Sequence, residues 1–277
     1  MLVFAFVFIY PIVENVKLSF QNARFIEPAK FIGLENYARL IKDPFFWNSF
    51  RIMLEYTAIY TVGIFIIGFI TALLLNSANQ KTSSLFRTFF VLPYAIPDVV
   101  AAMVFMWILD YQFGILNHFL QTLHIIKEPV SWLGGNSFVA LLTIIGIELW
   151  RQFPLHTLII LSGLQDIPAE IYEAADIDGA TGLKKFFNIT LPYLKQIIMI
   201  LLTLTIIWCL RRFTMIWLLT QGGPSRGTET VVIQIYNYAF QFNKMSYAAA
   251  IGNVLLLATM CIVVFYFYNL NKNKKSA

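Results

Sequence analysis

Six long apolar stretches divide this chain and restrict what it can fold into. The hydrocarbon core of a bilayer is about 30 Å thick, and a helix needs roughly 20 apolar residues to cross it. The first stretch is short and lacks the basic start of a signal peptide. We therefore expect that it continues through Val16 and Leu18, or that residues precede Met1. The stretches cover approximately residues 1–13, 52–75, 89–109, 138–161, 197–219 and 247–270.

The composition agrees with a membrane protein. Of the 277 residues, 58% are hydrophobic and only 13% are charged, whereas soluble domains carry about 25% charged residues. No linker, low-complexity segment or second soluble domain interrupts the pattern. The predicted fold is therefore all-α: a polytopic membrane protein with about six transmembrane helices in a single domain over residues 1–277.

Several classes of function find no support in the sequence. The net charge of +5 comes from scattered basic residues, so we expect no binding to nucleic acid. Cys209 and Cys261 lie in apolar stretches without Cys or His at metal-ligand spacing, so no metal site is predicted. No H-E-x-x-H or G-x-S-x-G motif indicates a catalytic centre. The chain also lacks the G-x-x-x-x-G-K-[ST] loop, so it cannot hydrolyse ATP by that route.

The longest markedly polar interval between two apolar stretches covers about residues 163–195. It must lie outside the bilayer, and it has the form of a docking element. Gly179 can adopt a left-handed conformation and end a short helix. Small side chains that permit close approach and carboxylates that can bind a partner precede this glycine: Glu173, Ala174, Ala175, Asp176 and Asp178.

This interval, with Leu191-Pro192 opening the next span, resembles the EAA loop of ABC-importer permeases. That loop is the cytoplasmic segment that seats in a groove of the ATPase subunit. Other segments resemble sugar-type permeases in the same order along the chain, and the last is typical of the permease similar to the larger maltose-system subunit. They are 31–37, 43–47, 92–97 with its two prolines, 150–154, and 219–224 with Thr228.

The resemblance implies the type I fold of ABC-importer permeases and a set of partners. These are a second, homologous permease in a heterodimer, two ATPase subunits and an extracytoplasmic solute-binding protein. This chain would bind no cofactor, because ATP and Mg²⁺ would belong to the ATPase. The residues implied in contact with the ATPase are Glu173, Ala174, Ala175, Asp178 and Gly179.

The resemblance also implies a bacterial cytoplasmic (inner) membrane location with both termini in the cytoplasm. Charge alone does not decide this orientation. The two sides of the predicted topology carry eight and nine Lys and Arg residues, so the positive-inside rule favours neither.

Charged residues also lie inside the predicted spans. Each costs about 2.5–3.5 kcal/mol on insertion scales, and such residues usually face a bundle interior or a water-filled path. Some could instead pair for structural reasons or extend from a helix end to the interface. They are Asp98, Glu148, Arg151, Arg211 and Arg212.

Polar and aromatic residues in three spans repeat every three or four positions, which places them on shared helix faces. Under the resemblance, the same positions match those that line the sugar site of the maltose-type permease. Each residue is also compatible with ordinary core packing. The predicted substrate-binding residues are Tyr94, Asp98, Glu148, Gln152, Leu155, Trp208, Cys209 and Arg212.

The sequence departs from the family pattern at Glu148 and Arg212, where neutral amides are expected. The fork of an Arg side chain binds carboxylates and phosphates, so an acidic oligosaccharide or a sugar phosphate is one hypothesis. The alternative is a Glu148–Arg212 ion pair that closes the empty cavity. Trp208 and Tyr94 would stack on sugar rings in either case.

The predicted function is that of a transmembrane permease subunit of an ATP-driven ABC importer. It would translocate a sugar or oligosaccharide, delivered by the solute-binding protein, through alternating access. The alternatives are an ABC permease for another solute, such as a sugar phosphate or an amino acid, and a secondary transporter. A secondary transporter could use Asp98 and Glu148 as coupling carboxylates, but the sequence shows no convincing internal repeat.

Overall fold

The computed structural model describes residues 5–23 and 30–274, and its elements are almost all helices. In chain order the α-helices are α1 (Tyr10–Ser19), α2 (Glu35–Lys42), α3 (Pro44–Ser77), α4 (Gln80–Ala95), α5 (Asp98–Ile108), α6 (Ile115–Thr122), α7 (Ser137–Gln165), α8 (Ala169–Ile177), α9 (Gly182–Lys185), α10 (Leu191–Leu210), α11 (Thr214–Thr220), α12 (Val231–Tyr236) and α13 (Met245–Lys274). Short π-helical segments occupy Ala5–Ile9, Phe186–Thr190 and Asn237–Gln241. Strands β1 (Gln21–Asn22) and β2 (Lys30–Phe31) form one antiparallel pair, with Gln21 opposite Phe31.

Membrane-spanning helices account for most of the described chain. Within residues 5–23 and 30–274, four helices are long and apolar enough to cross a bilayer, or five if the bent α4–α5 pair is one span. The first predicted span, about residues 1–13, begins in residues 1–4, which lie outside the described residues. Its described part is a five-residue π segment followed by the ten-residue α1, which is shorter than a full crossing. The polytopic all-α prediction is confirmed.

Helices α3 and α7 pack along each other and form the centre of the molecule. A Cβ atom at Gly68 would lie 3.1 Å from the Cβ of His156, so this small residue lets the two helices approach closely. The hydroxyls of Thr71 and Thr157 share a 2.6 Å hydrogen bond across the same interface. Apolar side chains from both helices fill the surrounding core, among them Tyr56, Tyr60, Ile64, Ile144 and Ile145.

The predicted span 89–109 is broken in the middle. Helix α4 ends at Ala95, α5 begins at Asp98, and the two helices make an angle of 89°. Pro97 caps α5 with φ −58° and ψ 143°. Proline has no N–H to donate and excludes the helical conformation from the residue before it, which explains the break. Of the two prolines expected to interrupt this span, Pro97 breaks it and Pro93 lies inside α4.

A second break interrupts the predicted span 197–219, which is not one continuous helix. Helix α10 ends at Leu210, and α11 begins only at Thr214 after two arginines and Phe213. The crossing segment is Gly182–Leu210. Hydropathy alone misses this break because the residues on both sides of it are apolar. The short α11 then packs against α5, so the helices that follow the two breaks are neighbours.

Asp43 holds together the end of the bundle at which α3 begins. This residue caps α3, and its Oδ1 accepts a 2.9 Å hydrogen bond from the N–H of Phe45. Its Oδ2 accepts from the hydroxyls of Tyr238 at 3.2 Å and Tyr247 at 2.7 Å. Burial, followed by the nearby Asp43 carboxylate, raises the pKa of Tyr238, so this phenol remains a donor. Asp43 therefore joins α3 to the start of α13.

We expect Asp43→Ala to lower the free energy of unfolding by at least about 2 kcal/mol, because a helix cap and two hydrogen bonds to a carboxylate are lost. Thermal unfolding in detergent measures the effect. Glu35→Ala is the matched control, since the Glu35 side chain is exposed and makes no hydrogen bond or ion pair within the described chain. Equal melting temperatures for the two variants would contradict the role of Asp43.

Candidate functional site

A pocket of about 420 Å³ lies where the two helix breaks meet α7. Gln152 is about halfway along α7, so the pocket lies near the middle of the span. The structure brings six of the eight predicted substrate-binding residues together at its wall. The residues that line it are Tyr94, Asp98, Gln152, Leu155, Trp208 and Arg212, with Arg211, Phe213 and Thr214 from the second break.

The other two predicted residues do not reach this wall. Glu148 is fully buried and Cys209 is 2% exposed. Cys209 packs in the apolar core with Tyr56 and Tyr60. Helical spacing puts both residues on helix faces next to the pocket, but their side chains face α3 and the bundle interior. Their contact with a substrate stays a prediction that this geometry does not support directly.

Two carboxylates and two guanidinium groups form a connected network behind the pocket. Arg151 pairs with Asp98, and its Nη2 lies 3.9 Å from Oε2 of Glu148. The Nη2 atom of Arg212 lies 3.5 Å from the same Glu148 oxygen. The ion pair considered as an alternative from the sequence is therefore present. The two positive and two negative charges balance, which lowers the cost of burying them.

Arg151 also fixes the position of the first break. Its Nη1 donates a 3.4 Å hydrogen bond to the carbonyl of Ile96, immediately before Pro97. Aromatic contacts from the same face of α7 flank this bond: Phe153 meets Phe90 of α4, and Trp150 meets Phe105 of α5. One face of α7 thus holds both halves of the broken span. The sequence identified Arg151 as an intramembrane charge but did not place it in the site.

The pocket wall combines flat aromatic faces with hydrogen-bonding groups. Tyr94 and Trp208 are each 42% exposed, which leaves ring surface free to contact a ligand. The amide of Gln152 can both donate and accept hydrogen bonds. This mixture suits a ligand that has apolar C–H faces and many hydroxyl groups.

The predicted docking element forms the helix and turn expected from its sequence. Gly179 has a φ of +71°, in the left-handed region. The N–H of Ala180 donates to the carbonyl of Ala175 at 2.9 Å, and the N–H of Gly179 donates to the carbonyl of Asp176 at 3.0 Å. These two bonds form a Schellman motif, which ends the helix at a glycine.

The docking element presents its surface to the outside. Within the part of the chain that the structure describes, every residue of α8 is exposed or half-buried. Ile177 is 89% exposed, which is unusual for a large apolar side chain in a folded protein. The predicted contact residues are accessible, and the half-buried Ala175 lies behind Glu173, Ala174, Asp178 and Gly179.

Two contacts that the sequence did not reveal attach α8 to the next span. Asp176 pairs with Lys185, and the hydroxyl of Tyr172 lies 2.8 Å from that of Thr190. Neither pair has helical spacing, because a turn separates the partners. A cavity of about 690 Å³ lies beside these contacts and reaches the end of α3 at Asn76 and Ser77.

The comparisons with known proteins agree with this arrangement of pocket and docking helix. Residues 64–276 match the family described as binding-protein-dependent transport system inner membrane component. The chain belongs to this family. It is therefore a permease: the membrane-embedded, non-catalytic component of an ABC transport system.

Individual relatives and structures cover nearly the whole chain. The permease protein SmoG of a sulfoquinovosyl glycerol transport system in Agrobacterium fabrum is 34% identical over 94% of this permease and 84% of that protein. The permease protein MalF of a trehalose/maltose transport system in Thermococcus litoralis is 32% identical over 93% and 85%. The crystal structure of a bacterial ABC transporter that imports the acidic polysaccharide alginate superposes with a TM-score of 0.84, covering 98% of this chain and 92% of that chain at 21% identity. This likeness confirms the type I permease fold.

We expect Arg151→Met to destabilise the permease by about 3–5 kcal/mol, because it leaves buried carboxylate charge without compensation. Unfolding in detergent tests this. The double variant Arg151→Met/Asp98→Asn restores the charge balance and should be more stable than the single variant, which a double-mutant cycle measures.

The control for this experiment is Arg51→Met. Arg51 pairs with Glu55 at 3.5 Å, but its side chain is 68% exposed, and exposed pairs contribute at most about 1 kcal/mol. An effect of Arg151→Met as small as that of Arg51→Met would show that the buried network does not hold the break.

Proposed function

We propose that this permease translocates a sugar or oligosaccharide through the pocket between the helix breaks, by alternating access. The observation that carries the proposal is the convergence of six predicted sugar-site residues on one pocket halfway along α7. The aromatic faces of Tyr94 and Trp208 suit the C–H faces of sugar rings, and Gln152 suits their hydroxyl groups. The predicted substrate-binding set, including the buried Glu148 and Cys209, remains part of this proposal.

The relatives favour a sugar over the other solutes considered. One is named for sulfoquinovosyl glycerol and the other for trehalose and maltose, both at more than 30% identity over nearly the whole chain. Neither name refers to an amino acid. Membership of the ABC permease family also argues against a secondary transporter.

The proposed assembly contains this single permease domain of residues 1–277, a second homologous permease, two ATPases and a solute-binding protein. The family description supports the binding protein. The ATPases would bind ATP and Mg²⁺ and would dock on the loop of about residues 163–195. If this loop faces the cytoplasm of a bacterium, Asp43 lies at the outer face and α13 runs inward from there, which leaves the carboxyl terminus in the cytoplasm.

The connections of α8 explain how docking could move the pocket. Helix α8 follows directly after α7, which carries Gln152, and the Asp176–Lys185 pair attaches it to the segment that leads into α10. Helix α10 carries Trp208 and ends at the second break. One docking helix is thus joined to two of the helices that form the pocket wall. Such a shared element is what energetic coupling between two sites requires.

We expect Gly179→Val to uncouple transport from ATP hydrolysis, because a β-branched residue is strained at a φ of +71° and would disturb the end of α8. Uptake and substrate-stimulated ATP hydrolysis by the complete importer in proteoliposomes measure the loss, which should be about tenfold or more.

Gly182→Val is the matched control. Gly182 lies in the same loop, a Cβ atom there meets nothing within 4 Å, and its φ is not positive. Normal uptake and ATP hydrolysis in both variants would refute the coupling role of this turn.

We expect the Ala174→Cys variant to crosslink to the ATPase subunit in membranes. The background should carry Cys261→Ser, since Cys261 is exposed and Cys209 is buried. The Glu35→Cys variant is the control, because Glu35 lies in α2, next to Asp43, at the end of the bundle opposite α8. Crosslinking from Glu35→Cys, or its absence from Ala174→Cys, would reverse the proposed orientation.

A further inference from the structure

The charges around the central pocket do not balance. Arg151 and Arg212 are compensated by Asp98 and Glu148. Arg211 is exposed and lines the same pocket. Among residues 5–23 and 30–274, its side chain has no hydrogen bond, ion pair or aromatic contact. One positive charge is therefore left over at the pocket wall.

Helix dipoles do not remove this surplus. Arg211 caps the end of α10, where the helix contributes roughly half a negative charge, so the dipole offsets only part of the guanidinium charge. Asp98 lies in the first turn of α5, where the positive end of that helix acts on the carboxylate. The two dipole contributions have opposite signs and similar size. The surplus at Arg211 remains.

Arg211 is better placed than Arg212 to bind an incoming anion. Arg212 is only 14% exposed and pairs with the fully buried Glu148. Moving Arg212 toward a ligand would leave the fully buried Glu148 with less compensation, which is costly. Arg211 would exchange only water for the ligand. A guanidinium can then bind a carboxylate or similar oxyanion through two parallel hydrogen bonds.

We infer that the pocket selects a sugar that carries a carboxylate or another oxyanion, and that Arg211 binds this acidic group. The inference rests on the proposed function and specifies its substrate class. Tyr94 and Trp208 would hold the sugar ring, and Gln152 would bind its hydroxyl groups. The Arg212–Glu148 pair would stay intact beside the ligand, so Arg211 and not Arg212 binds the anion.

The test uses the complete importer with its binding protein in proteoliposomes. The probes are di- and trisaccharides that contain uronic acids, such as digalacturonate, each paired with its neutral methyl ester. We expect the importer to take up the acidic sugars faster than their methyl esters. Arg211→Gln should reduce acidic uptake by about 10- to 100-fold, the loss expected for one charge-assisted bond. Arg211→Lys should recover part of it.

Arg51→Gln is the control, because it removes a positive charge from an exposed site that does not line the pocket. Equal or better uptake of the esters, or acidic uptake within about twofold of wild type in Arg211→Gln, would overturn the inference and leave sugar transport standing. Loss of the second permease on purification of Arg211→Gln would also overturn it, since Arg211 would then serve assembly. If the wild type takes up neither acids nor esters but takes up a neutral disaccharide such as maltose, the inference is overturned and sugar transport stands. Uptake of no sugar at all would refute the proposed sugar function.

Discussion

A buried guanidinium group inside an apolar span needs nearby carboxylates to neutralise it, and in this permease that pairing also sets the position of a broken helix. Arg151 pairs with Asp98 at the start of α5, lies near Glu148 on its own helix, and donates to the carbonyl of Ile96. The pocket exists because α4 and α5 separate at this point. Its shape therefore depends on contacts from α7, and the charges of Arg151, Asp98 and Glu148 lie beside it.

The chain order places the docking helix where it can act on this pocket. Helix α8 lies between α7 and α10 in the sequence, and both of these helices contribute to the pocket wall. Helix α10 has 20 residues and is therefore about 30 Å long. A displacement at its α8 end can reach Trp208 and the second break without unfolding, because a helix moves as a rigid body. The Asp176–Lys185 pair and the Tyr172–Thr190 bond make the first step of that connection.

The sequence predicts well what depends on local or averaged properties. Apolar length identified α3, α7 and α13, and the conformational freedom of Gly179 identified the end of α8. The sequence predicts less where contacts between distant parts of the chain determine the structure. Residues 197–219 are apolar on both sides of the second break, so hydropathy could not locate it. Helical spacing put Glu148 on the same face as Gln152, but only the packing of α3 buries Glu148 and leaves Gln152 at the pocket.

A network of charges that served stability alone could be replaced by apolar side chains, often with a gain in stability. The break at Pro97 gives a reason why this network is charged. In a continuous helix the Ile96 carbonyl would accept from the N–H four residues later, and non-helical backbone inside a membrane needs another donor in its place. The guanidinium of Arg151 supplies a donor to that carbonyl, which no apolar side chain can do. Asp98 and Glu148 are then needed to balance the donor's charge, so a cavity bounded by a helix break requires buried ions beside it.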